Sequence, residues 1–183
     1  YLNNIWIWYW KDFDYSKAID YYNQSLVIKE ELGDTRNYGK TLNNLGEVYY
    51  DMGDYTKSID YFNQSILMKE KLNDNKGLNS TLFNLAEAQI YNTNYKDALG
   101  TFKRSLTISN TFGDIFQISE RYLGIGMTYF NLTNYDSASY YLGKADSIFL
   151  ELPVERLSTL SWLAITSMKH PQNVSAQNNI KMF

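Results

Sequence analysis

The sequence predicts an all-α fold built from consecutive antiparallel helix pairs, and three observations lead to this fold class. The sequence recurs every 40 residues, its apolar residues return at helical spacing, and turn-forming residues separate the periodic stretches. A helix with one apolar stripe needs a neighbour to bury it. Stacked copies of the same unit supply that neighbour, so the sequence indicates a solenoid.

The repeat is clearest between residues 14–32 and 54–72, which are identical at twelve of nineteen positions at a shift of 40. One tyrosine keeps its register four times, at Tyr15, Tyr55, Tyr95 and Tyr135. We expect one solenoid domain over residues 1–183. Its predicted units are approximately 1–33 (shortened at its N-terminus), 34–73, 74–113, 114–152 and a partial or capping unit at 153–183.

Each unit contains two helical patterns joined by a short turn. In the second unit, Leu42, Leu45 and Tyr49 share one helical face. Gly53 is suited to the left-handed conformation that ends a helix, and Asp54 to the N-cap of the next one. The predicted helices are 1–11, 15–31, 35–51, 55–71, 76–91, 95–111, 115–131, 135–150 and 154–169, with a weaker one at 173–182.

Small residues recur at fixed places within these units. On the first helices they are Gly46, Ala86 and Gly126, and on the second helices Ser58, Ser65, Ala98, Ser105, Ala138 and Ala145. With the large residues beside them, they resemble the pattern of the tetratricopeptide repeat family. The resemblance covers nearly the whole chain, and it implies a right-handed superhelix.

The family's usual period is about 34 residues. A 40-residue period with Leu-Gly-Asp between units is similar to a branch with longer helices, which includes kinesin light chain, Pins-type scaffolds and many bacterial regulatory proteins. Two places depart from the pattern. Trp6 occupies the slot of Gly46, and the polar Ser139 and Asp146 replace apolar residues of the second unit.

Composition excludes several function classes. The 183 residues contain no cysteine and one histidine, His170, so thiol chemistry, multi-histidine metal sites and most histidine-based triads are not expected. A net charge of -3 disfavours nucleic acid as a partner, and no apolar run is long enough to insert into a membrane. We therefore predict no enzymatic activity, no catalytic residue, no metal and no cofactor, in either the cytoplasm or the periplasm.

The resemblance implies that ligands contact the first helices, which line the concave wall of the solenoid. The predicted peptide-binding residues are Asn4, Lys40, Asn43, Asn44, Glu47, Tyr50, Asp51, Phe83, Asn84, Glu87, Tyr91, Leu123, Met127 and Phe130. One asparagine per repeat forms a ladder that ends at Gly124, through Asn4, Asn44 and Asn84. In similar long-helix proteins this amide binds the backbone of an extended peptide; alternatively, it bonds a neighbouring helix.

The apolar residues on this wall allow two interpretations. Phe83, Leu123 and Met127 are either an exposed binding patch or core residues in a slightly different register. Carboxylates such as Glu87 and Glu120 outnumber the lysines on the same wall. This balance favours a neutral, apolar or mildly basic partner segment, and it disfavours a clamp for a C-terminal carboxylate.

Three hypotheses for function follow. The first is a non-enzymatic scaffold that binds a peptide or protein segment in the groove. The second is a sensor or regulatory segment of a larger bacterial signalling protein, such as a histidine kinase or transcription regulator, whose activity lies outside this chain. The third is homo-oligomerisation through Trp6, Trp8 and Trp10.

Overall fold

The computed structural model describes residues 15–149 and, further along, residues 159, 161–163, 165, 166 and 169. Residues 15–149 form seven helices: α1 (Tyr15–Glu31), α2 (Thr35–Asp51), α3 (Tyr55–Lys71), α4 (Asn75–Tyr91), α5 (Tyr95–Phe112), α6 (Ile115–Asn131) and α7 (Tyr135–Phe149). The predicted helices at 1–11 and 173–182 lie outside the described residues, and 154–169 is described only in part. Chain contacts define two compact units, Tyr1–Asp74 and Asn75–Phe183.

The first unit contains the helix pair α2 and α3, with α1 packed against α2. Leu42 and Leu45 of α2 and Phe62 of α3 are buried in its interior, and all three are at most 1% exposed. A Cβ at Gly46 would lie 2.6 Å from the Phe62 ring. The absence of a side chain at this position is therefore what lets the ring lie directly on the α2 backbone.

The second unit packs α4 on α5, α5 on α6 and α6 on α7. Its core cluster contains Ala86 of α4, Phe102 of α5 and Ile125 of α6. The described part of the chain contains no strand. The predicted fold class, an all-α fold of consecutive antiparallel helix pairs, is confirmed. None of the described helices combines the length and the hydrophobicity that crossing a bilayer requires.

The helix starts follow from capping chemistry. A side-chain oxygen accepts a hydrogen bond from the backbone N–H three residues later at Asp34 (3.2 Å), Asp54 (3.2 Å), Asp114 (3.0 Å) and Asn134 (3.1 Å). Each bond satisfies one of the backbone donors that a first helical turn leaves unpaired. The predicted N-cap role of Asp54 is thus confirmed.

The small residues that suggested the family are buried at the helix crossings. Ser58, Ser65, Ala98, Ser105, Ala138 and Ala145 are all fully buried. The two polar departures are buried as well, with Ser139 at 4% and Asp146 at 6% exposure. The Ser139 hydroxyl has no hydrogen-bond partner among the described residues, so this crossing carries an unsatisfied polar group.

The turns inside the helix pairs require a left-handed residue. Gly53 has φ of 78°, which the sequence predicted from its lack of a Cβ. The matching positions hold Thr93 (φ 61°) and Thr133 (φ 58°). A β-branched residue is strained in this region, and the backbone hydrogen bonds from Thr133 and Asn134 back to α6 hold the turn in place.

Replacing Thr133→Gly should raise the free energy of unfolding by about 1 kcal/mol, because glycine adopts positive φ without steric cost. Urea denaturation followed by circular dichroism measures the change. Thr133→Ala keeps the Cβ and is the matched control, which should give no comparable gain. An equal gain from both variants would show that the threonine side chain, rather than the backbone conformation, limits stability.

Gly126→Ala should lower the free energy of unfolding by about 1–3 kcal/mol. A Cβ there would stand 2.7 Å from the Leu142 side chain and 3.2 Å from its backbone nitrogen. Gly100→Ala is the control, because a Cβ at this exposed position of α5 meets nothing within 4 Å. That change should stabilise by about 0.5–1 kcal/mol through helix propensity. Urea denaturation distinguishes the two, and a neutral Gly126→Ala would argue against close packing of α6 on α7.

Candidate functional site

The second unit contains a cavity of about 500 Å³ whose walls come mainly from two first helices. Helix α4 contributes Phe83, Glu87, Ile90 and Tyr91. Helix α6 contributes Glu120, Leu123, Gly124, Met127 and Asn131. The structure therefore brings together Phe83, Glu87, Tyr91, Leu123 and Met127, five of the residues that the sequence predicted as ligand contacts.

The floor of the cavity is continuous with the hydrophobic core. The ring of Phe83 meets Phe102 edge to face at 5.8 Å, and Phe83 and Ile90 both pack against the core cluster. Both are half-buried. Phe83 is therefore both a core residue and part of the exposed patch, the two alternatives that the sequence left open, because it packs against the core cluster and also lines the cavity. Ile90 has the same two roles.

One part of the cavity wall is charged. Glu120 forms an ion pair with Arg121 at 2.9 Å, and the Arg121 side chain is only 4% exposed. The Arg121 Nε donates a hydrogen bond to the Ser105 hydroxyl at 3.0 Å, and its guanidinium lies 4.4 Å from the centre of the Phe83 ring. These contacts fix the guanidinium between α5 and the cavity wall.

A buried polar network continues from Ser105 and connects three helices. The Ser105 hydroxyl donates to the Asn79 Oδ1 at 2.7 Å. The Asn79 amide in turn donates to the Ser109 hydroxyl at 2.9 Å and to the Gln117 Oε1 at 2.7 Å. Because each bond needs a defined geometry, the network holds α4, α5 and α6 in register with one another.

Burial and like charge act together on the carboxylates of the cavity. Burial is the larger cause that raises the pKa of Glu87 to about 7, and the nearby Glu120 charge adds to it, while Arg121 opposes it. Burial also raises the pKa of Glu120, and the contact with Arg121 limits that rise. Glu87 therefore changes its charge near neutral pH.

The first unit holds six of the predicted contact residues, all on α2. Lys40, Glu47 and Asp51 are exposed, whereas Asn43, Asn44 and Tyr50 are half-buried. The Asn43 amide donates to the Glu47 carboxylate at 2.8 Å, and the Tyr50 ring meets the Tyr55 ring at 5.6 Å. This face therefore presents a mixed polar and aromatic surface.

Three of the predicted contact residues remain, and two of them lie in the described part of the chain. Asn84 is half-buried on α4, directly after Phe83 and one turn before Glu87. Phe130 packs against Trp162 at 5.3 Å and is not part of the cavity wall. Asn4 lies outside the described residues.

Sequence reasoning missed several cavity residues: Thr93, Tyr95, Phe102, Gly124 and Trp162. Thr93 lies in a turn, Tyr95 and Phe102 on the second helix α5 and Trp162 further along the chain, so the period along one first helix did not point to them. Gly124 lies on the first helix α6, but it has no side chain that would suggest a ligand contact. Arg121 was missed as well, although its register offers a signal. Arg121 occupies the repeat position that Thr41 and Thr81 hold in the two preceding units, where both threonines are buried. An arginine at a buried position requires a counter-charge nearby.

The sequence matches a known repeat family over more than half of its length. The tetratricopeptide repeat model matches residues 1–71 and 37–111, which together exceed half of the chain. The chain therefore belongs to the tetratricopeptide repeat family, whose fold is an interaction scaffold and generally non-catalytic. No curated protein matches the sequence.

Solved structures share the same fold. The apo form of RapI is 22% identical with a TM-score of 0.84, over 96% of this chain and 65% of that one. BtubC from P. vanneervenii is 17% identical with a TM-score of 0.84, over 94% and 72%. The Rap conjugation gene regulator of plasmid pLS20, in complex with the Phr* peptide, is 17% identical with a TM-score of 0.64, over 90% and 46%. The chain thus spans about two thirds of RapI and under half of the pLS20 regulator.

Stability should depend on pH through Glu87. The pKa of Glu87 is about 7 in the folded chain against an ordinary value of 4.5, so the folded state binds more protons between these values. The free energy of unfolding should therefore fall as pH rises from 4.5 to about 7, and Glu87→Gln should flatten that part of the curve. Urea titrations across this pH range measure the difference between wild type and variant.

Glu70→Gln, which removes a carboxylate at an exposed position of α3 outside the cavity, is the matched control, and the fall in stability that Glu87 causes should persist in it. Carbon-13 NMR of the side-chain carboxyl groups gives a direct reading. A Glu87 titration midpoint near 4.5 would contradict the raised pKa.

Proposed function

We propose that this chain binds a peptide or protein segment of a partner through the exposed faces of its first helices, and that it performs no catalysis. The observation that supports this proposal best is the 500 Å³ cavity between α4 and α6. It lies on the helices that the family resemblance assigns to ligand contact, and its volume is within the range of ordinary binding pockets.

The lining of the cavity suits an anchor side chain. Phe83, Tyr91, Leu123 and Met127 offer apolar and aromatic area from two sides. Burial of one or two large side chains in such a pocket supplies most of the affinity in many interfaces. Methionine and aromatic side chains also adapt to ligands of different shape, which suits a recognition surface.

The asparagines add contacts that do not depend on ligand sequence. An amide offers one acceptor and two donors, so it can bind both the N–H and the C=O of an extended backbone. Asn84 is on α4 between two cavity residues, where it would contact the backbone of a segment anchored in the cavity. In the first unit, Asn44 is at the equivalent position of α2 and would act in the same way.

A second candidate function is a sensor segment of a larger signalling protein. The similarity to the pLS20 conjugation gene regulator, which was solved with a peptide, favours it. In that case the peptide would be the signal, and the output would come from residues outside this chain. The full gene sequence tests this directly: a kinase or helix-turn-helix region beside the solenoid supports it, and a gene that encodes the solenoid alone counts against it.

The partner can be found by capture on the immobilised chain, followed by mapping of the bound segment with overlapping synthetic peptides. Isothermal titration calorimetry with the mapped peptide then gives the dissociation constant. A partner that binds only through a folded domain, with no active linear segment, would contradict the peptide-groove form of the proposal.

The substitution Asn84→Ala should weaken the binding free energy of the mapped peptide by about 0.5–1.5 kcal/mol. The double variant with Asn44→Ala should lose about 1–3 kcal/mol of binding free energy. Each change removes amide contacts with the peptide backbone. Asn63→Ala and Asn110→Ala, at exposed positions of the second helices α3 and α5, are the matched controls and should leave binding unchanged. Circular dichroism checks the fold, and an unaltered dissociation constant in the double variant argues against backbone capture.

A further inference from the structure

The inference concerns what the cavity selects, and it rests on the proposed function. We propose that the cavity of the second unit takes a lysine or arginine side chain together with an adjacent large apolar side chain of the bound segment, with the cation placed beside Glu87. The ligand class is therefore a basic–apolar pair within a peptide.

Charge within the cavity does not balance. Two carboxylates, Glu87 and Glu120, line the wall, and Arg121 is the cation that interacts with both. Arg121 pairs with Glu120 at 2.9 Å. Glu87 makes no hydrogen bond and no ion pair with another described residue. One negative charge therefore faces the cavity without a partner of its own.

Arg121 is not free to turn toward Glu87. Its Nε is bonded to Ser105, which also bonds Asn79 in the buried network, and its guanidinium lies over the Phe83 ring. Moving it would break several buried contacts and leave Glu120 without its ion pair. Among the described residues no second cation reaches Glu87, so we assign its counter-charge to the ligand.

The walls beside Glu87 define the rest of the ligand. Phe83, Ile90 and Tyr91 lie on the same helix as Glu87, and Leu123 and Met127 face the cavity from α6. The long methylene stem of a lysine or arginine can pack along such surfaces while its charged end reaches a carboxylate. Aromatic rings also attract cations, so the apolar and the charged parts of the pair both find contacts.

The protonation state of Glu87 makes this selection depend on pH. The titratable and charged groups that face it are Glu120 and Arg121 of α6, Tyr95 of α5 and Tyr91 of α4. A bound cation favours the ionised carboxylate and lowers the pKa of Glu87 below its free value of about 7. Below pH 7 the basic ligand must displace a proton, so its affinity falls as pH decreases through 7. A neutral ligand has no such requirement.

An array of 400 capped hexapeptides of the form Gly-Ser-X-Z-Ser-Gly, with every residue pair at X and Z, tests the selection on the 183-residue chain. The strongest signals should combine Lys or Arg with Phe, Tyr, Trp, Leu or Met. The best lysine peptide is then compared by NMR titration with its norleucine counterpart, which keeps the methylene stem and lacks the charge. At pH 8 we expect the lysine peptide to bind at least about tenfold more tightly than the norleucine peptide. A tenfold ratio corresponds to one ionic contact of about 1.4 kcal/mol.

Glu87→Gln should bring the lysine-to-norleucine affinity ratio close to one, whereas Glu70→Gln, the control, should preserve the ratio. In the wild-type chain the lysine-to-norleucine affinity ratio should be smaller at pH 6 than at pH 8. This comparison needs no variant. Equal binding of neutral and basic peptides, or preference for acidic ones, overturns this inference and leaves the proposed function standing. Absence of saturable binding by every peptide in the array overturns both.

Discussion

The close approach of paired helices is the constraint on which the rest of this structure depends. In each unit an aromatic ring on a second helix lies directly against the backbone of a first helix at a glycine. Phe62 lies on Gly46 in the first unit, and Phe102 lies on Gly124 in the second. Because a Cβ at either glycine would stand within 2.6 Å of the ring, helix spacing is set by the ring thickness.

This packing also forms the cavity in which we propose that a ligand binds. Phe102 of α5 packs edge to face against Phe83 of α4 and lies against the backbone of α6 at Gly124, so its ring contacts both first helices. The outer parts of Phe83, Leu123 and Met127 then remain accessible and form the cavity wall. Phe83 also packs against the core cluster, as does the cavity residue Ile90, so this part of the cavity is a preformed feature of the packing.

The polar groups at the cavity give it chemical character. A neutral apolar pocket would accept many hydrophobic segments with little selectivity. Here a fixed Arg121 holds Glu120, and Glu87 is left as a half-buried acid whose ionisation depends on what occupies the cavity. The network of Asn79 and Ser105, bonded to Arg121, holds the guanidinium in place, so the proposed selectivity would come from preorganised charge.

The sequence by itself determined the repeat, the helices and most of their ends. Period, apolar stripes and caps are local properties, so the described helices lie within a residue of their predicted bounds. It also pointed to the first helices and to Glu87. Only the tertiary structure showed that Phe83 is both core and wall, that Phe102 and Trp162 reach the cavity, and that Arg121 is held away from Glu87. Those features depend on distances between residues far apart in the chain, and a period along one helix carries no information about such distances.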